Sequence, residues 1–248
     1  MRYFLFFSYN GKSYHGWQKQ INSITVQEKI EEALSILLKE RIEVFGAGRT
    51  DAGVHAKQMV AHFDISKGVE NLKKIIFNLN KFLPNDISVK SLKSVKNDAH
   101  ARFDAISRTY KYQMNKEKDV FFDQYGYYIN YSLNKKKIKE AIKIIKSNQD
   151  FKCFTKSKTD VKNYICDILD VKWIESEKEY IFEITANRFL RNMVRSIVGT
   201  LIDIGSGKIS INHFIEIIKS KDRSMAGYSV PAKGLFLTKI NYPENIFI

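Results

Sequence analysis

The chain is poor in cysteine, proline and glycine, with two, three and twelve in 248 residues. Cys153 and Cys166 are too few and wrongly spaced for a zinc site or a disulfide framework. Scarce proline and glycine, with no low-complexity tract, argue against a disordered chain. The apolar opening Tyr3-Phe4-Leu5-Phe6-Phe7 is too short for a signal segment or a membrane span, and no later run reaches spanning length. His15, His55, His62, His100 and His213 show no metal-ligand spacing. These absences lead to the expectation of a cytoplasmic protein with no structural metal and no membrane segment.

Arginine is also scarce. The net charge is +14, yet it comes from 32 lysines and only nine arginines. A balance of that size suits a polyanionic partner through long-range attraction and counterion release. A coding bias toward lysine fits the excess equally well. It does not explain why six arginines fall in three short segments: Arg49; Arg102 and Arg108; Arg188, Arg191 and Arg195. Where lysine is the default cation, clustered arginine marks positions needing a planar, bidentate donor.

What is present reads as α+β. Residues 3–9 form a first strand, and Thr25-x-x-Glu28 is a capping box opening a helix with Val26, Ile30, Ala33, Leu34, Leu37 and Leu38 at helical spacing. Ile42 to Phe45 reads as a strand running into the Gly-rich loop 46–53, and Met59 to Ile65 as the next. Val69 to Leu79 reads as a second helix, and Ile87 to Val95 as a strand. Further on, Arg108 to Met114, 165–174, 180–185 and Leu235 to Ile240 read as strands. Helices are expected around 138–145, from an Asn187 cap to about Ile204, and over 211–218. Strands are not regularly interleaved with helices, which favours α+β. The seam is placed near 97–106, giving domains 1–100 and 101–248.

The loop Gly46-Ala47-Gly48-Arg49-Thr50-Asp51-Ala52-Gly53 carries three of the twelve glycines. It is not a dinucleotide fingerprint, because Asp51 stands where Gly or Ala is required, and it lacks the Lys-Ser/Thr of a phosphate loop. Asp51 fits two descriptions. It is either a turn former or a carboxylate presented by a rigid turn as nucleophile or base.

On an ideal helix Arg188, Arg191 and Arg195 fall within about 60° of one another. They form either a solvated face or a set of phosphate binders, one of which could partner a carboxylate and hold it ionised. Strand alternation puts Arg108, Tyr110 and Tyr112 on one face. Those tyrosines either pack a half-buried sheet or stack on an unpaired base.

Taken together these segments resemble the TruA family of tRNA pseudouridine synthases. The residues that carry the likeness include Gly48-Arg49-Thr50-Asp51-Ala52-Gly53-Val54-His55-Ala56, Tyr14-His15-Gly16-Trp17-Gln18, Leu83-Pro84-x-Asp86-Ile87 and Ala101-Arg102-Phe103. They continue through Arg108-Thr109-Tyr110, Asp150-Phe151-x-x-Phe154, Met193-Val194-Arg195 and Gly234-Leu235-Phe236-Leu237. The motifs keep family order across nearly the whole chain.

The resemblance implies two α/β domains, each a mainly antiparallel sheet backed by helices, with an active-site cleft between them. It implies a homodimer that grips tRNA and needs no metal or organic cofactor. The implied reaction turns uridine into pseudouridine at positions 38, 39 and 40 of the anticodon stem-loop. Asp51 would be the nucleophile, toward base or ribose, and Tyr110 would stack on the flipped base and handle protons. Arg195 would pair with Asp51, Arg49 would help open the stem, and Leu235 would wall the uracil pocket. Arg188 and Arg191 join the expected RNA-binding set. The rivals are a non-catalytic RNA-binding protein, which gives no reason for Asp51, Tyr110 and Arg195 together, and a nucleotide-binding enzyme, which the Asp-centred loop disfavours.

Overall fold

A computed structural model describes residues 1–121, 123–156 and 161–248. In chain order the elements are β1 (Arg2–Tyr9), α1 (Val26–Leu38), β2 (Phe45–Gly46), β3 (His55–Asp64), α2 (Leu72–Phe82) and β4 (Ile87–Val95). They continue with β5 (Ser107–Asn115), β6 (Tyr127–Tyr128), α3 (Lys135–Ser147), β7 (Ile168–Glu175) and β8 (Glu179–Ala186). The last are α4 (Met193–Gly205), α5 (Ile211–Ser220) and β9 (Leu235–Asn241). The mixture is α+β, with largely antiparallel strands and five helices among the described residues.

Two compact units divide the chain: Met1–Ser107 with Phe236–Ile248, and Arg108–Leu235. The expected boundaries, 1–100 and 101–248, differ at the C-terminus. The final stretch belongs to the first unit because β9 pairs in parallel with β3, His55 opposite Phe236 and Ala56 opposite Leu237.

In the first unit β1 lies between β3 and β4, antiparallel to both. Its period-2 alternation sends Tyr3, Leu5 and Phe7 to one face and Phe4 and Phe6 to the other. Phe7 packs by Trp17 (ring centroids 5.7 Å apart). Phe4 is covered from the C-terminal segment by Tyr242 (5.0 Å) and Phe247 (6.2 Å). Helix α1 begins as its capping box requires: the Thr25 side chain accepts from the Glu28 N–H. Its Val26, Ile30, Ala33 and Leu34 are buried. Helix α2 starts at Leu72, three residues later than Val69, because the Asn71 side chain caps it by accepting from the Lys74 N–H (2.9 Å).

The strand expected over 42–45 shrinks to Phe45–Gly46. The Ile42 N–H donates to Ser35 Oγ and the Val44 N–H to Glu31 Oε1. Side chains of α1 thus hold donors that a ladder would have used.

In the second unit β8 lies between β5 and β7, antiparallel to each, and β6 adds in parallel to β5. Tyr180, Phe182, Ile184 and Ala186 of β8 are buried, as are Ile138, Ala141 and Ile145 of α3. Helix α4 is buried almost all round. Among the described residues no helix is long and apolar enough to cross a membrane.

Candidate active site

Asp51 sits at the head of a tight turn in the first unit. The Val54 N–H donates to the Asp51 carbonyl (3.2 Å), and Gly53 holds φ +78°, the left-handed value that the third position of such a turn favours. The residue before it is anchored. Thr50 is buried, its Oγ shares a 2.8 Å hydrogen bond with the Tyr9 hydroxyl, and its carbonyl accepts from the Trp17 N–H (3.2 Å).

The aromatic loop 13–20 forms the wall behind that turn. Gly16 has φ +92°, and a Cβ there would stand 2.5 Å from the Thr50 carbonyl oxygen, so only glycine fits the approach. The Gly16 and Trp17 carbonyls accept from the Val26 and Gln27 N–H groups, using two of the unpaired donors at the start of α1. Tyr14 donates its hydroxyl to Asp86, and burial together with that carboxylate raises its pKa. These contacts join Tyr14-His15-Gly16-Trp17 and Leu83-Pro84-x-Asp86 to the Asp51 turn. His55 accepts the Gly11 N–H on Nδ1 (3.1 Å) and stacks on Phe236 (4.7 Å). Arg49 is exposed. Asp51 itself is half-buried.

Tyr110, Arg195 and Leu235 fall within the second unit. Arg195 lies in the first turn of α4, and its Nε donates to the Val230 carbonyl (2.7 Å) while the Val230 N–H donates back to the Arg195 carbonyl (3.3 Å). That reciprocal pair sets the plane of the guanidinium. Gly199 lets the partner segment pass, since a Cβ there would fall 1.8 Å from the Tyr228 carbonyl oxygen. Thr200 Oγ accepts the Gly227 N–H (2.9 Å) and holds the same segment.

Tyr110 is half-buried and meets Phe189 edge-on at 5.0 Å. Tyr112, on the same face by alternation, is fully buried and donates its hydroxyl to the Pro231 carbonyl (2.9 Å). Burial raises its pKa, against a lowering influence from Arg195. Tyr112 is therefore a packing residue and cannot stack on a base. Leu235 is buried at the start of β9, directly after Gly234, where a Cβ would lie 2.7 Å from the Tyr112 ring.

The expected arginine stripe is not a helical stripe. Helix α4 begins at Met193, so Arg188 and Arg191 precede it in an irregular segment and only Arg195 is helical. Asn187 does not cap the helix, because its side chain accepts the Asp167 N–H (2.9 Å) and donates to the Asp167 carboxylate (2.7 Å). The residue at the helix start is Asn192, in the left-handed conformation.

Among the described residues no group of three or more His, Cys, Asp or Glu is arranged to hold a metal ion. Both cysteines are buried, which pushes the Cys153 thiol up to about 12 and the Cys166 thiol to about 11.

A family model described as tRNA pseudouridine synthase matches residues 5–104 and 141–243. The chain belongs to this family. It is similar to tRNA pseudouridine synthase A of Bacteroides fragilis, 49% identical over 247 residues, covering 99% of this chain and 98% of the relative. It is similar also to tRNA pseudouridine synthase A of Parabacteroides distasonis, 47% identical over 246 residues (99% and 98%). A more distant relative is tRNA pseudouridine synthase A of Bacillus subtilis, 39% identical over 239 residues (95% and 96%). The protein is thus an enzyme of the isomerase class; the matched segments contain the motifs that carried the resemblance except Arg108-Thr109-Tyr110, which lies between them.

Sequence reasoning did not single out an aromatic and histidine cluster in the first unit: Phe45, His62, His100 and Phe103. His62 lies 5.1 Å from Phe45 and 4.5 Å from His100 by ring centroids, and His100 lies 4.3 Å from Phe103. The residues are far apart in sequence and share no periodicity. Phe103 was visible only as part of Ala101-Arg102-Phe103.

Proposed function

We propose that this enzyme isomerises uridine to pseudouridine at positions 38, 39 and 40 of the tRNA anticodon stem-loop, with Asp51 as nucleophile on a flipped-out nucleotide. The observation that carries the reading is the turn at Asp51. A buried Thr50, a glycine-only contact from Gly16 and a positive-φ Gly53 fix the backbone of one carboxylate-bearing residue. A turn former alone needs no such support behind it.

The reaction breaks the N1–C1′ bond, rotates the uracil and joins C5 to C1′; the proton leaving C5 is balanced by one gained at N1. It needs a fixed carboxylate, a held base and exclusion of competing water. Asp51 takes the first role, attacking either the ribose or the base. Tyr110 stacks on the base and handles the C5 proton. Arg195 pairs with Asp51 and keeps it ionised. Leu235 walls the uracil pocket, while Arg49, Arg188 and Arg191 hold phosphates and help open the stem. Unstacking a stem uridine costs a few kcal/mol, which phosphate contacts and stacking must offset. The charge of +14 supports that role. The working unit in this reading is a cytoplasmic homodimer gripping tRNA.

The test is tritium release from tRNA transcribed with 5-tritiated uridine, combined with mapping of the product positions. The wild type is expected to release tritium and place pseudouridine at 38–40. Asp51→Ala is expected to release none while still binding the transcript. Normal release by that variant removes Asp51 from the chemistry, and pseudouridine confined to other positions removes the anticodon assignment.

A further inference from the structure

Phe103 is 73% exposed and Phe45 51% exposed, large values for aromatic rings in a protein with a well-filled core. They are the outer members of the ring series Phe45, His62, His100, Phe103. Phe45 lies nearly parallel to His62, at 19°, and Arg102 Cζ lies 5.6 Å from the Phe103 centroid.

The turn that presents Phe103 is tied down at many points. Arg2 donates to the Ala99 carbonyl (2.9 Å), while its guanidinium also grips Asp64 through two bonds of 2.7 and 2.8 Å. Tyr242 donates its hydroxyl to the Ala101 carbonyl (2.6 Å). The Ala101 N–H donates to His62 Nδ1 (3.2 Å) and the Arg102 N–H to His100 Nδ1 (3.1 Å). Asp104 accepts the His100 N–H (2.7 Å). A segment held by this many bonds presents Phe103 outward in one fixed arrangement, rather than through looseness. Because both imidazoles accept a main-chain N–H on Nδ1, their remaining proton sits on Nε2, and both are neutral rings.

We propose that Phe45 and Phe103, with the buried His62 and half-buried His100 packed between them as support, form a stacking platform for an unpaired base of the tRNA substrate, with Arg102 beside it for the adjoining phosphate. This rests on the reading that the enzyme acts on tRNA. The exposed rings of Phe45 and Phe103 suit a base, whatever its sequence, because every base has a π-face. The positive balance and the arginine at the edge suit the phosphate that accompanies it. None of the four rings belongs to the chemistry assigned to Asp51, Tyr110 and Arg195, so the platform would position tRNA without touching the reacting uridine.

The test uses the full chain and an unmodified tRNA transcript. Phe103→Ala is expected to weaken transcript binding about tenfold, the loss typical of one base–aromatic stack. Its single-turnover rate at saturating enzyme is expected to match wild type. Phe103→Trp is expected to keep wild-type affinity, and its added tryptophan emission should be quenched when transcript binds. Unchanged affinity in Phe103→Ala, or no quenching in Phe103→Trp, overturns the platform. So does a loss of affinity that accompanies a fall in mass by light scattering, which would make the patch a contact between protein copies. If the wild type forms no pseudouridine while quenching and the tenfold loss persist, the activity assignment fails and the platform stands.

Discussion

Gly16 and Thr50 touch so closely that a Cβ on Gly16 would lie 2.5 Å from the Thr50 carbonyl oxygen. The aromatic loop thereby sets the position of the residue before Asp51. Gly16→Ala adds a backbone clash to a φ of +92°. The expected destabilisation is about 1–3 kcal/mol, read by urea denaturation. A displaced turn should also lower the single-turnover rate by about tenfold or more. A variant that loses stability but keeps its rate would show that Asp51 is positioned by something other than this loop.

Arg195 tests whether geometry or charge matters. Its Nε is committed to the Val230 carbonyl, which orients the guanidinium fork. Lysine keeps the charge and loses both the Nε bond and the fork. Arg195→Lys is expected to lose at least about tenfold in single-turnover rate, with circular dichroism unchanged. A near-normal rate would rule out a bidentate role.

Arg188 and Arg191 are separable from Arg195 because they precede the helix. If each contacts a phosphate, alanine at either should reduce the slope of log affinity against log salt by roughly one. Filter binding of a tRNA transcript across a salt series measures this directly. An unchanged slope removes that arginine from the phosphate set.

His62 supplies a pH prediction. Burial first, then the neighbouring His100, lower its pKa to about 4, from the ordinary value of 6.5. Above pH 6.5 both folded and unfolded chains hold a neutral His62. Below it the unfolded chain takes up a proton that the folded one refuses, so stability falls as pH drops from 6.5 toward 4. The contribution is on the order of 2 kcal/mol. Urea midpoints at pH 7.5 and 5 should differ more for wild type than for His62→Gln; equal differences would contradict the burial argument.

What could be read from the chain follows the range of the interactions. The Thr25–Glu28 capping box and the alternation of 87–95 depend on neighbours a few residues away, and both elements formed as read. The Asn187 cap failed because Asp167, twenty positions earlier, engages that side chain twice. The strand over 42–45 failed because Ser35 and Glu31 hold its N–H groups. Asp51 stood out through the glycines around it, but the sequence could not show that Gly16 serves Thr50 or that Gly46 accommodates the Trp17 ring. Gly48 is different. A Cβ there would meet nothing within 4 Å, so packing within the chain does not explain that glycine. The ring series from Phe45 to Phe103 joins three distant segments and left no local pattern to read.

The return of the last strand also fixes an order of assembly. Residues 108–235 leave the ribosome as one continuous stretch, whereas the first unit is divided between Met1–Ser107 and Phe236–Ile248. Until the later piece emerges, His55 lacks its stacking partner Phe236, Ala101 lacks Tyr242, and Phe4 lacks Phe247. The second unit can be completed on the nascent chain while the unit carrying Asp51 waits. The pairing of β9 with β3 is therefore made only after residues 108–235, and a chain stalled before Phe236 holds Asp51 in an unfinished sheet.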